Sequence, residues 1–164
     1  MRQAPVGFFF NNFPQNRQIT SKSDYVVIEF NLNGWFTNIN PYKLEFKKNI
    51  INFLDADLLI LPEIHCSTYQ KIDMQNYTFF QKNRLKIGNI LRGSGGIPIG
   101  VKNELLNYHE IVGVYDDSCD GLIGLKLKNN LSDIFVGVVG MYLSADNYRY
   151  GQDAEGFFNN AAVM

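Results

Sequence analysis

The feature that most limits how this chain can fold is the run Asp57-Leu58-Leu59-Ile60-Leu61-Pro62-Glu63. An apolar run this short and sharply bounded reads as a core strand covered on both faces. Glu63 is then the first strongly polar side chain where the strand leaves the core, with Ile64-His65-Cys66 directly behind it. A second strand, Asp24 to Phe30, runs into Asn31-Leu32-Asn33-Gly34, so its polar groups also fall at its C-terminal end. Between the two, Asn38 to Pro41 reads as a turn, and Leu44 to Leu54 carries Phe46, Ile50, Ile51 and Leu54 at the spacing of an amphipathic helix. A strand-helix-strand unit of this length implies a parallel pair with a right-handed crossover, and in such sheets sites lie beyond the carboxyl ends of the strands. Asn31 and Glu63 are thereby expected on one rim.

Beyond this unit the pattern turns to strands: Tyr77 to Lys82, Gly96 to Lys102, Glu110 to Tyr115, Leu122 to Leu127 and Ile134 to Leu143, short and rich in β-branched or aromatic residues. Asp120-Gly121 and Lys128-Asn129-Asn130 are the turn signals between consecutive strands. Residues 1–23 carry Asn, Gln and Ser without a period and read as a flexible lead-in. Asp153 to Val163 reads as the beginning of a helix, with Phe157, Phe158 and Ala161 on one side. Arg92-Gly93-Ser94-Gly95-Gly96 lacks the Lys-Ser/Thr of a nucleotide-binding loop and feeds a strand, so its glycines read as a tight entry into Ile97 to Lys102.

At 164 residues the chain is long enough for one domain with a sizeable core. No apolar stretch approaches a bilayer span, and Phe8-Phe9-Phe10 is too short for a signal sequence, so no membrane partner is expected. Two cysteines, Cys66 and Cys119, occupy no metal or redox spacing, which fits a reducing, intracellular compartment, nuclear or cytoplasmic. No CxxC or HxxxH spacing supports a zinc site built from His65, Cys66, His109 and Cys119. With 15 basic and 16 acidic residues, the overall balance shows no basic stripe for holding DNA by counterion release alone. A local group, Lys82, Arg84, Lys86 and Arg92, reads either as a solvated loop or as charge folded beside the Asn31/Glu63 rim.

That rim has a chemical reading. A hard divalent cation takes oxygen ligands, often one or two carboxylates, with water and substrate phosphate oxygens completing its shell. Glu63 supplies the charge, and Asn31 orients it or the phosphate through its amide. The same residues also read as a solvated carboxylate at a strand end and an Asn-Gly turn.

Taken in order, Phe30-Asn31-Leu32-Asn33-Gly34, Leu61-Pro62-Glu63-Ile64-His65, Gly95-Gly96-Ile97-Pro98-Ile99, the strand after Asp120-Gly121, and Val138 to Leu143 followed by Tyr150-Gly151-Gln152-Asp153 resemble the endonuclease/exonuclease/phosphatase superfamily. Asn-x-Asn-Gly, Glu-x-His and Tyr-Gly-x-Asp are most like the endonuclease domains of non-LTR retrotransposons. The resemblance covers residues 24–164 and implies an α/β fold, a four-layer α/β/β/α sandwich of the DNase I-like type. It also implies phosphodiester hydrolysis of DNA assisted by Mg2+ or Mn2+. By motif, Glu63 matches the metal ligand, Asn31 the active-site Asn and Tyr142 the Tyr that contacts phosphate. Asn33 stands where abasic endonucleases often carry Asp and, with Arg92 of the local basic group, is a candidate for binding substrate.

Ala145 stands where the family has a further Asn, and the 164 residues contain neither the family's Gly-Asp-x-Asn strand nor its closing Asp-His pair. The expectation is therefore an N-terminal part of a metal-dependent endonuclease domain, inactive by itself and open to self-association through an exposed sheet edge. The same fold also carries phosphatases and lipid phosphodiesterases, and a non-catalytic remnant acting as an interaction module is a third reading.

Overall fold

A computed structural model describes residues 24–35, 41–67, 69–83, 95–116 and 121–141. The chain runs through β1 (Val27–Glu29), α1 (Pro41–Leu54), β2 (Leu58–Ile60), β3 (Tyr77–Lys82), β4 (Ile97–Lys102), a 3-10 turn (Leu105–Asn107), β5 (His109–Tyr115), β6 (Leu122–Asn129) and β7 (Phe135–Met141). One sheet has four strands in the order β1-β2-β4-β3, the other three in the order β5-β6-β7. β1 and β2 are parallel, Val27 opposite Leu58, as the strand-helix-strand reading requires, and the other pairs are antiparallel.

β2 is the hinge of the architecture because successive strand side chains point to opposite faces. Leu58 enters the core between the two sheets, with Ile97, Ile99, Val101, Ile123, Leu125 and Val138. Leu59 enters a second core on the other face, with Ile51 of α1, Trp35, Leu61, Ile64, Cys66 and Tyr77. Among the described residues the protein is thus mixed α/β, with α1 outside one sheet and the second sheet packed on its other face. None of the described helices is long and apolar enough to cross a membrane.

The helix departs from its expected bounds and face. It begins at Pro41 rather than Leu44, the proline taking a first-turn position where no intrahelical N–H is needed. Phe46, expected on the buried stripe, is 65% exposed, while Ile51 is fully buried. The two lie about 140° apart around the helix, so one face cannot hold both. Leu44, Lys47, Ile51 and Leu54 form the inward stripe, and the Lys47 ammonium donates to the Gly34 carbonyl instead of leaving an apolar contact. The hairpins also shift: β5 starts one residue early at His109, and β6 runs on to Asn129, moving its turn to residues 130–133. Leu143, expected in the last strand, and the Asp153 to Val163 stretch lie outside the described residues, as do residues 1–23.

At the end remote from Glu63 one polar link joins β1 to β2 and another joins the two sheets. The Asp57 carboxylate accepts from the Val26 amide at 2.8 Å, and the Tyr25 hydroxyl lies 2.7 Å from Nε2 of buried His109. At the opposite end the sheets approach closely over Gly140, where an added Cβ would stand 3.0 Å from Ile97 Cδ1 and 3.2 Å from Ile60 Cγ2. Gly140→Val is therefore expected to destabilise the fold by about 1–3 kcal/mol through overpacking, seen as a lower urea midpoint.

A second expectation concerns alkaline pH. Burial pushes the Cys66 thiol from 9.0 up to about 11. Burial first, then the Asp55 and Asp57 charges, also raise the Tyr77 phenol, which donates to the Ala56 carbonyl. Both groups are neutral in the fold. The Cys66 contribution is whole below pH 9 and is lost as pH rises through about 11. Stability by urea titration should fall by on the order of 2 kcal/mol between about pH 8 and 10.5 on account of Cys66. Cys66→Ala should lower stability at neutral pH yet flatten this decline.

Candidate active site

The site is built from what the chain does immediately after β1 and β2. The ladder persists one step beyond β1, where the Phe30 amide donates to the Ile60 carbonyl at 3.0 Å. Asn31 then folds back on itself: its Oδ1 accepts from the Asn33 amide at 2.9 Å, the short-range bond that lets Asn begin a turn. Asn33 and Gly34 complete it in left-handed conformations, at φ 47° and 93°. Trp35, 1% exposed, anchors the far side of the turn in the core beside α1.

β2 ends differently. The Leu61 amide still reaches the Pro98 carbonyl of β4 at 3.1 Å, and Pro62 has no N–H to offer. Glu63 and His65 then adopt left-handed conformations, at φ 58° and 51°. Two successive carbonyls, of Glu63 and Ile64, accept from the Gly34 and Trp35 amides, each at 2.6 Å. Two successive amides, of Ile64 and His65, donate the other way, to the Gly96 carbonyl at 3.4 Å and the Gly95 carbonyl at 2.7 Å. In a regular strand neighbouring groups point to alternate sides; here consecutive peptide planes are aligned, and the segment is held from both flanks.

The outcome is that Asn31 Nδ2 donates to Glu63 Oε2 at 2.7 Å. Asn31 is exposed and Glu63 half-buried, so the pair opens to solvent at the carboxyl end of two adjacent parallel strands. Asn33 sits next to the pair through its bond to Asn31. Tyr142 and Arg92 lie outside the described residues. His65 stands beside Glu63 with its Nδ1 accepting from the Gly95 amide at 2.9 Å, a link with no signal in the sequence beyond the Glu-x-His spacing and the glycine pair. Gly95 and Gly96 are left-handed, at φ 80° and 94°, as the tight entry into β4 demands.

The remaining candidates separate. Lys82 of the basic group pairs with Asp116 at 2.5 Å, and Arg84, Lys86 and Cys119 lie outside the described residues. Cys66 is fully buried in the core beside α1, whereas His109 belongs to the inter-sheet end, where Nδ1 faces the Leu105 carbonyl at 3.3 Å. Among the described residues no three His, Cys, Asp or Glu side chains group to hold a metal. Among the described residues this rim offers one carboxylate with an amide beside it, oxygen donors of the hard kind and not the Cys/His set of a structural zinc site.

No protein-family model matches the sequence, and no curated protein matches it. Among solved structures the chain is similar to an endonuclease/exonuclease/phosphatase family protein from Leptotrichia buccalis C-1013-b, with a TM-score of 0.51, 10% sequence identity, and coverage of 83% of this chain and 61% of that one. The chain thus spans about three fifths of the neighbour's length. The likeness is one of fold: two packed sheets with few helices, in a mixed α/β arrangement of the kind found in an endonuclease/exonuclease/phosphatase family protein.

Proposed function

We propose that this chain carries the N-terminal part of a divalent-metal-dependent phosphodiesterase site that acts on DNA, of the retroelement endonuclease type, within a four-layer sandwich. The observation that carries the reading is the 2.7 Å bond between Asn31 Nδ2 and Glu63 Oε2 at the carboxyl ends of β1 and β2. In this role Glu63 would hold Mg2+ or Mn2+, which supplies charge stabilisation to a phosphoryl group during phosphodiester cleavage. Asn31 fixes the direction of the carboxylate and presents its amide towards the same solvent opening. Asn33, Arg92 and Tyr142 are assigned to the DNA phosphates.

The chemistry asks for more than this half-set. Activation of the attacking water by a positioned base contributes two to four orders of magnitude in typical enzymes. The family's groups for nucleophile and phosphate sit on the Gly-Asp-x-Asn and Asp-His motifs, which these 164 residues do not contain. Binding and orientation of one metal are therefore the contribution of this segment, with turnover belonging to a complete set of motifs.

Metal binding is accordingly expected to be weak and dependent on one side chain. In Mn2+ water-proton relaxation titrations, Glu63→Gln should abolish the binding present in the wild type, since it removes the one anionic ligand proposed. Unchanged binding in Glu63→Gln would move the metal elsewhere and overturn the reading.

The purified 164-residue chain is expected to show no nicking of plasmid or abasic DNA above background with Mg2+ or Mn2+. Supplying a segment bearing Gly-Asp-x-Asn and Asp-His should bring turnover, and Glu63→Gln should then reduce it by roughly 100-fold or more, the scale for removing a main source of transition-state charge stabilisation. Robust nicking by the chain alone, sensitive to Glu63→Gln, would show that a base already lies within it.

A further inference from the structure

We propose that His65 is a positioning residue whose imidazole takes over a backbone bond and thereby fixes the direction in which Glu63 points. The functional meaning of this inference rests on the metal-dependent reading above; the geometric claim does not.

With the Glu63 and Ile64 carbonyls both given to Gly34 and Trp35, and the Ile64 and His65 amides both given to Gly96 and Gly95, the segment follows no regular strand pattern. An antiparallel hydrogen-bonded pair normally exchanges two bonds, amide to carbonyl in each direction. Between His65 and Gly95 the first is present, from the His65 amide to the Gly95 carbonyl at 2.7 Å. The second is replaced: the Gly95 amide donates not to the His65 carbonyl but to its imidazole Nδ1, at 2.9 Å. The left-handed turn at His65 and the side-chain bond are thus two parts of one device. Nδ1 accepts, so the imidazole carries its proton on Nε2.

The neighbouring packing leaves little room for an alternative. A Cβ on Gly96 would stand 3.1 Å from Ile64 Cγ1 and 3.2 Å from the Lys82 carbonyl, and Ile64 is fully buried. Ile64 is therefore gripped between Gly96 and the core, with left-handed Glu63 before it and left-handed His65 behind it. Releasing the Gly95 amide from the imidazole removes one of the bonds that hold His65 left-handed and leaves the peptide between Ile64 and His65 tied only through the Trp35 amide and the Gly95 carbonyl, which lowers the cost of rotating it back. Such a rotation changes the carbonyl that Trp35 holds, and with it the backbone from which the Glu63 carboxylate reaches Asn31.

Residue choice at position 65 follows from the two demands. The side chain must accept one bond from the Gly95 amide and must tolerate positive φ, which Asn and Asp share with His to a greater degree than other L-residues. Asn is the conservative replacement; Leu satisfies neither demand.

The test is nitrogen-15 and proton NMR of the metal-free chain, followed by Mn2+ titration. In the wild type a coupling across the bond between the Gly95 amide nitrogen and His65 Nδ1 should be detectable; its absence, or an imidazole protonated on Nδ1, overturns the proposal without any variant. In His65→Leu, the Gly95 amide should exchange faster and the Asn31 side-chain amide resonances should move to their positions in Glu63→Ala. In His65→Asn both should remain near wild type. Mn2+ affinity should fall roughly 10-fold in His65→Leu, the scale on which outer partners of a ligand act, and be restored in His65→Asn. An Asn31 signature unchanged in His65→Leu, with only Gly95 exchange altered, would mean that His65 ties down the loop and nothing more, and would overturn the inference. If instead the Asn31 signature responds as expected while Glu63→Gln leaves Mn2+ binding intact, the positioning role stands and the metal reading fails.

Discussion

The double burial of β2 is the constraint from which the rest of the structure follows. Leu58 and Leu59 are both fully buried, one facing the second sheet and one facing α1 and the loops around it. A strand in that position has no solvent side on which to carry a polar group, so its polar chemistry is displaced to its ends. Asp57 at the start is 5% exposed and satisfied by the Val26 amide, where it joins β1 to β2. Glu63 at the finish is half-buried and meets Asn31. The first carboxylate serves the fold, and the second stands where the cores end and water begins.

Much of this was legible in the sequence because it depends on local pattern. The unbroken apolar run of β2, the helical spacing before it and the polar residues closing β1 are all short-range signals, and they led to a parallel pair with Asn31 and Glu63 at one end. The hairpin strands were legible for the same reason, since turn residues punctuate them. The misplaced parts depend on what the chain packs against. Phe46 is as apolar as Ile51, but the stripe of α1 turns towards the Asn-Gly turn, and the neighbouring Lys47, which reaches the Gly34 carbonyl, lies on the inward face in its place. The link between His65 and Gly95 spans 30 residues of sequence and depends on backbone conformations that no composition or spacing reports.

The family resemblance read from motifs concerns a few side chains, and the likeness to a solved structure concerns the fold alone. The motifs are a few residues each, at an overall identity too low for a sequence comparison to register. The fold likeness rests on how two sheets pack, and owes little to the identity of any one side chain. Tyr142 stands on its motif alone and Arg92 on the local run of basic residues, whereas Asn31 and Glu63 also have a geometry.

That geometry is costly, and its distribution is informative. Among the described residues four non-glycine residues have positive φ, and three of them, Asn33, Glu63 and His65, lie within this one rim. Asn and His are tolerant of that region; Glu is less so, and sparsely populated backbone states cost on the order of 1–3 kcal/mol each. A chain folding for stability alone has a simpler course after Pro62, continuing β2 as a regular strand with a residue suited to extended backbone at position 63. Instead Glu63 is held left-handed by bonds from Gly34 on one flank, with its neighbours held by Gly95 and Gly96 on the other. Those bonds are strong enough to maintain the conformation, but they do not require a carboxylate. What the carboxylate does face is an exposed amide, that of Asn31, just beyond the adjacent parallel strand.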